Sequence, residues 1–214
     1  VSANPTAGFS IVSYTSPGTS ADGTVGHGLS QAPELVIVKN RDSAYNWDVW
    51  NTALSSGYDL ILNTSAAQTS GRWSTTIPTA SLVTLKDTYE VNGTDKYIAY
   101  CFHSVEGYSK VGSYEGNANA DGTFVYTGFQ VAYLLTKSID GSYNWYQTDN
   151  KSTPINVRDN VLYPDLSVAH GSSWPWVDFL SNGFKLRTSS SGVNNNTFIY
   201  LAFAESPFKY SNAR

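Results

Sequence analysis

Along this chain, apolar residues recur with the period of strands rather than helices. In Val83-Thr84-Leu85-Lys86 apolar and polar residues alternate, which predicts Val83 and Leu85 on one face of a half-buried strand. Glu34 to Lys39 reads ELVIVK, a β-branched run bounded by Pro33 on one side and Asn40-Arg41-Asp42 on the other. Tyr97-Ile98-Ala99-Tyr100-Cys101-Phe102 is apolar on both faces, with Ile98, Tyr100 and Phe102 on one side and Ala99 and Cys101 on the other. Ile199, Leu201 and Phe203 repeat that pattern near the end of the chain. Such strands are central. The expectation is that their large residues face the core, leaving Ile98, Phe102, Ile199 and Phe203 shielded from water, while the small ones meet a second layer. Asp22-Gly23, Asn92-Gly93, Asp121-Gly122 and Asn182-Gly183 supply tight turns. No capped amphipathic helix interrupts the series.

The same pattern occurs twice, with a period of about 100 residues. Asp42-Ser43-Ala44-Tyr45-Asn46-Trp47 returns as Asp140-Gly141-Ser142-Tyr143-Asn144-Trp145, and Ala21-Asp22-Gly23-Thr24 as Ala120-Asp121-Gly122-Thr123. Tyr58 to Leu62 matches Asp159 to Tyr163, Trp73 matches Trp174, and Val83 to Lys86 matches Phe184 to Arg187. Tyr97 to Phe102 aligns with Phe198 to Phe203. The ordered matches imply gene duplication. The fold class expected is all-β: two tandem antiparallel β-sandwich repeats, over residues 1–110 and 111–214, of about seven short strands each. Tyr108 to Gly116 runs from one copy straight into the next without a linker, which favours one compact body packed with pseudo-twofold symmetry.

Composition narrows the chemistry. Of 214 residues only 14% are charged and the net charge is −4, which argues against a phosphate-backbone partner, so no nucleic acid is expected. The longest apolar runs are far shorter than the roughly 20 residues that cross a bilayer as a helix, so no membrane insertion is expected. The single Cys cannot form an internal disulfide, and Cys101 reads as an inert core thiol. With three His, catalytic material is thin: His27 reads as a strand-edge or turn residue, His103 as a satisfied, partly buried one and His170 as exposed. No nucleophile elbow and no zinc or calcium spacing is present, so neither a cofactor nor a metal is expected. Asp22 and Asp121 are explained by Asx turns, and sequence cannot show whether carboxylates such as Glu90, Glu106, Glu115 and Glu205 converge.

The aromatic residues are the better lead, because Trp and Tyr combine a flat apolar face with one polar handle that suits a sugar ring. Trp47 and Trp145 occupy equivalent places and read as shared packing residues. Trp174 is matched by Trp73, but Trp176, in Ser172-Ser173-Trp174-Pro175-Trp176, has no counterpart. An aromatic added in one copy suggests a contact site, and the ligand-binding candidates are Trp174, Trp176, Trp73 and Trp50.

Three runs carry a resemblance: Tyr97 to Phe129, Val177 to Thr188 (VDFLSNGFKLRT) and Tyr200 to Arg214 (YLAFAESPFKYSNAR). They resemble bacteriophage virion proteins of the marine-phage type, in particular C-terminal domains of tail fibres, and GFSIVSYT and TVGHGLSQAPELVIVKN near the start fit the same family. The resemblance implies location on the virion, contact with other virion proteins and a non-enzymatic role in binding a bacterial surface glycan or protein receptor. It brings no catalytic residues. An architectural capsid or fibre decoration domain and a polysaccharide depolymerase are the alternatives. Fibre proteins of this kind are commonly homotrimers, whereas two fused repeats could also satisfy each other in a monomer. The ending PFKYSNAR looks like a natural terminus, which would make Val1 a cut from a longer shaft.

Overall fold

The computed structural model of the protein describes residues 1–16, 18 and 21–206. The ending PFKYSNAR lies outside the described residues. The fold is all-β, with antiparallel sheets and, among the described residues, a single helical turn at Ser191–Asn194 (α1). The chain divides into two units. The first takes Val1–Asn63 and Gln68–Ser104; the second takes Thr64–Ala67 and continues from Val105.

The first unit holds nine strands: β1 (Ser2–Asn4), β2 (Phe9–Thr15), β3 (Gly23–Gly26), β4 (Leu35–Asn40), β5 (Trp47–Asn51), β6 (Tyr58–Ile61), β7 (Thr69–Ser70), β8 (Leu82–Leu85) and β9 (Lys96–Phe102). Seven form one sheet in the order β1-β2-β9-β4-β5-β6-β7, and β3 pairs with β8 in a second. Val83 and Leu85 point inward from β8, as their alternation predicts, and meet Val12, Val36, Val38, Trp50, Trp73, Tyr97 and Ala99 in one core. That is a sandwich, its two layers closing on a shared apolar interior.

The second unit holds β10 (Ser109–Glu115), β11 (Phe124–Tyr126), β12 (Val131–Ser138), β13 (Tyr146–Asp149), β14 (Val177–Leu180), β15 (Gly183–Leu186) and β16 (Thr197–Ala204). One sheet runs β10-β16-β12-β13 and the other β11-β15-β14. Its core gathers Tyr114, Phe129, Leu134, Trp176, Phe184, Leu186, Phe198 and Tyr200. The order β10-β16-β12-β13 places its strands as β2-β9-β4-β5 are placed in the first unit, and β11·β15 corresponds to β3·β8. β2 lies beside the closing strand β9 as β10 lies beside the closing strand β16.

The repeated Asp-x-x-Tyr-Asn-Trp segment has a structural reason. Asp42 Oδ2 accepts the N–H of Lys96, the first residue of β9, at 2.9 Å. Asp140 Oδ2 accepts the N–H of Thr197, the first residue of β16, at 2.9 Å. A lysine before each loop ties down its carbonyls: Lys39 Nζ donates to Asn40 O and Tyr45 O (2.7 and 2.8 Å), Lys137 Nζ to Ser138 O and Gly141 O (2.7 and 3.2 Å). Charge-assisted bonds of this kind are the stronger ones in a loop. A tyrosine on β2 and one on β10 also reach across their own units, Tyr14 Oη donating to Val91 O at 2.6 Å and Tyr114 Oη to Val193 O at 2.8 Å.

One expectation is overturned. The core side of β9 carries Tyr97, Ala99 and Cys101, and that of β16 carries Phe198, Tyr200 and Ala202. Ile98, Tyr100 and Phe102 lie on the opposite face and are only partly covered; of the four residues expected to be shielded, Ile199 alone is buried, while Ile98, Phe102 and Phe203 are not. The small residues face inward because bulky partners fill the space before them, in the first unit a stacked pair of indoles, Trp50 and Trp73. Cys101 is buried there, and burial pushes its thiol up to about 12.

Candidate functional site

Three of the four tryptophans proposed from sequence are enclosed. Trp50 on β5 is 6% exposed and stacks on Trp73 with centroids 6.2 Å apart; Trp176 is 0% exposed and stacks on Trp174 at 5.9 Å. Trp50, Trp73 and Trp176 are therefore core residues, closed to a ligand. Trp174 alone is part-exposed, its ring packed against the core beside Tyr146 at 5.6 Å. The copy-specific Trp176 is not an addition to the surface. Each unit carries one stacked indole pair, and Trp176 supplies the second ring that Trp50 supplies in the first unit.

That exchange has a consequence at the position Trp50 vacates. Continuing the Asp-x-x-Tyr-Asn-Trp alignment aligns Trp50 with Thr148 and Asn51 with Asp149. The strand registers agree, since Val36 faces Trp50 across β4 and β5 while Leu134 faces Thr148 across β12 and β13. Both Asn51 and Asp149 cap the following turn: Asn51 Oδ1 accepts Ala53 N–H at 2.9 Å, and Asp149 Oδ1 accepts the N–H groups of Lys151 and Ser152 at 2.7 and 2.8 Å. A threonine in place of an indole leaves space. The second unit has a pocket of about 380 Å³ there, lined by Gln147, Thr148, Asp149, Ser152, Asn160, Val161, Leu162 and His170.

The pocket is shaped by strand-like pairing, Gln147 and Leu162 exchanging backbone bonds at 2.9 and 2.8 Å and Val161 pairing with Gly171. Six of its eight lining residues have polar side chains, yet most of the surface they expose to the pocket is apolar. Asn160 Nδ2 donates to Ser152 O at 2.8 Å. Burial opposes the charge on Asp149, but the N–H groups of Ser152 and Lys151 outweigh it and hold the carboxyl below its ordinary value. Thr148 is 2% exposed and its hydroxyl has no hydrogen-bond partner among the described residues. An unpaired buried hydroxyl costs on the order of 1–3 kcal/mol, so its place in the pocket wall is a chemical signal.

The corresponding corner of the first unit is closed by charge. Asp59 aligns with Asn160, Asp48 with Tyr146 and Arg72 with Ser173. Arg72 binds Asp48 Oδ1 through Nε at 3.1 Å and Asp59 Oδ2 through Nη2 at 2.7 Å, and both carboxylates are 0% exposed. Burial, reinforced by the Asp59 charge, pushes Asp48 up to about 7; burial pushes Asp59 up to about 6 against the pull of Arg72. With no open surface, this carboxylate pair meets no substrate. His27 and His103 are buried in the same unit, His27 Nε2 donating to Thr79 O at 3.1 Å while its Nδ1 accepts Leu29 N–H at 3.2 Å, whereas His170 lines the pocket of the second. Two of the glutamates of the second unit raised as possible partners have local roles, Glu115 accepting Thr197 Oγ1 at 3.2 Å and Glu205 accepting Gln130 Nε2 at 2.5 Å.

Sequence reasoning missed the pocket residues because none belongs to a motif. The available signal was the large-to-small change from Trp50 to Thr148 at one aligned position. Taken together, the fold and site define an all-β sandwich protein of two similarly ordered units with a pocket in the second. The family model of a domain of unknown function, DUF7483, matches residues 1–207, and the chain belongs to that family. No curated protein and no solved structure matches the chain.

Proposed function

We propose that this is a non-enzymatic domain of a phage virion, displayed on a tail fibre or particle surface, that binds a host-surface glycan through the pocket of its second unit. The observation that carries the reading is the pocket lined by Thr148, which stands at the strand position where the first unit carries Trp50. A concave site with a few polar side chains over the apolar Val161 and Leu162 has the make-up of a small-molecule pocket. The virion assignment rests on the resemblance of the Tyr97–Phe129 and Val177–Thr188 runs, and the low charge content suits adhesion that persists in salt. The units are then copies of one ancestor in which the second lost its plug. Weak contacts at one pocket become useful when a fibre presents several copies.

The test is to plug the pocket as the first unit does. Wild-type protein is expected to retain intact oligosaccharides on a glycan array and to label bacterial cells, and Thr148→Trp to lose both while unfolding at an unchanged temperature. Shortened oligosaccharides after long incubation would replace the reading with a depolymerase, and a chain that labels neither glycans nor cells would be architectural.

A further inference from the structure

We infer that the pocket of the second unit selects an uncharged sugar that donates hydroxyl hydrogens and rejects sugars bearing a carboxylate; this rests on the glycan-binding reading above. The hydrogen-bonding capacity left in the lining decides it. Asp149 Oδ1 is spent on the Lys151 and Ser152 N–H groups, which leaves its other oxygen able only to accept. Asn160 has already committed one N–H to Ser152 O, and among the described residues no donor reaches its carbonyl oxygen. The unpaired hydroxyl of Thr148 can answer a ligand in either sense. Such a wall calls for a partner that donates twice and accepts once, as adjacent ring hydroxyls do.

A carboxylate meets the opposite conditions. It only accepts, and Asp149 is the one acidic side chain among the lining residues, which include His170 but no Lys or Arg; Arg158 acts on the Asp149 charge from outside the lining. Like charges in a partly enclosed site are costly to bring together, which is how binding sites reject a wrong partner. Val161 and the part-exposed Leu162 offer the C–H face of the ring an apolar surface. The first unit cannot share this preference, since Trp50 fills the equivalent place.

Matched pairs that differ only at C6 test the inference on the full chain: the methyl glycosides of glucose, galactose and mannose against the corresponding methyl uronides, read by saturation-transfer NMR. At least one glycoside is expected to bind about tenfold or more tightly than its uronide partner. Asp149→Asn keeps the turn-capping oxygen and removes the charge, and is expected to bring the pair within about twofold. Thr148→Val, of equal shape, is expected to weaken the glycoside about fivefold without lowering the unfolding temperature, an outcome a purely structural hydroxyl would not produce. A uronide bound as well as its glycoside, or discrimination unmoved by Asp149→Asn, overturns the charge rule and leaves the glycan reading standing. Binding of neither member of any pair overturns both.

Discussion

The two units solve one packing problem in different ways. Beside the strand after the Asp-x-x-Tyr-Asn-Trp loop, the first unit inserts Trp50 and closes the corner with the Asp48–Arg72–Asp59 cluster. The second puts Tyr146, Thr148 and Asn160 at those positions, moves its second indole to Trp176, and keeps a pocket. Strand order, loop-capping aspartates and the tyrosine that bonds across each unit's own interior are alike in both. A sandwich of this order thus holds its strand order while one corner passes from a buried charge cluster to a pocket lined by uncharged polar, acidic and apolar residues. Scaffold and site vary independently, as expected where function sits on loops and strand ends rather than on the ladder itself.

The comparison is broken most severely by removing the indole that replaces Trp50. Trp176→Ala should destabilise the second unit by about 4 kcal/mol, measured by urea unfolding, with Trp174→Ala costing about half as much because its ring is part-exposed. Equal losses would mean that the two rings share the core evenly. Arg72→Ala should cost about 3 kcal/mol at pH 8, since it leaves two buried carboxylates uncompensated, and visibly less at pH 5, where they take up protons. A pH-independent loss would show that Arg72 acts by packing alone.

The sign of the pH effect sharpens the contrast. Asp48 and Asp59 hold protons more tightly folded than at their ordinary 3.8, so their penalty is fully present above about 7 and is relieved as the pH falls toward 4. His27 runs the other way. Burial holds its imidazole below the ordinary 6.5, so its contribution is present above that value and is lost on acidification. In Asp48→Asn, Asp59 is left alone with Arg72 and the first effect shrinks. The variant's melting temperature should then fall from pH 8 to pH 5 more steeply than wild type, and parallel curves would contradict the shared-burial account.

The smallest effect compares two aligned turns. Gly18 has φ +68° and Ala118 has φ +55°, a left-handed conformation that costs a side chain about 1 kcal/mol. Ala118→Gly should gain a few tenths to 1 kcal/mol in the second unit. Gly18→Ala should lose more than that conformational cost alone, because its Cβ would strike the Thr94 side chain. Thermal melts of both variants measure the pair, and an unchanged Gly18→Ala would show that the loop yields freely.

Much of the fold was open to reading because its signals are local. Alternation in Val83 to Lys86 and the β-branched run before Lys39 each act over a few residues, and each lies where a strand is found. The glycines of Asp22-Gly23, Asn92-Gly93, Asp121-Gly122 and Asn182-Gly183, by contrast, do not take the positive φ of a tight turn, and Gly23 and Gly183 open strands instead. The inward face of β9 was not open to reading, since a strand apolar on both sides carries no mark of which side meets the other sheet. Nor was the fate of the tryptophans. An indole is as suited to a core as to a sugar, and only its neighbours decide; Trp50, Trp73 and Trp176 went inside because they stack in pairs against small or branched residues.

From its sequence alone this protein was determined to be an all-β chain with one pattern written twice, with loops that begin on an aspartate and a thiol that stays inert. Backbone geometry and turn chemistry act between near neighbours, and those choices can be made residue by residue. Only the tertiary structure decided which faces close on each other, that Asp48 and Asp59 share one arginine, and that Thr148 opens a pocket where Trp50 fills one. Those outcomes depend on how volumes and charges from distant segments fit together, and no single segment contains that information.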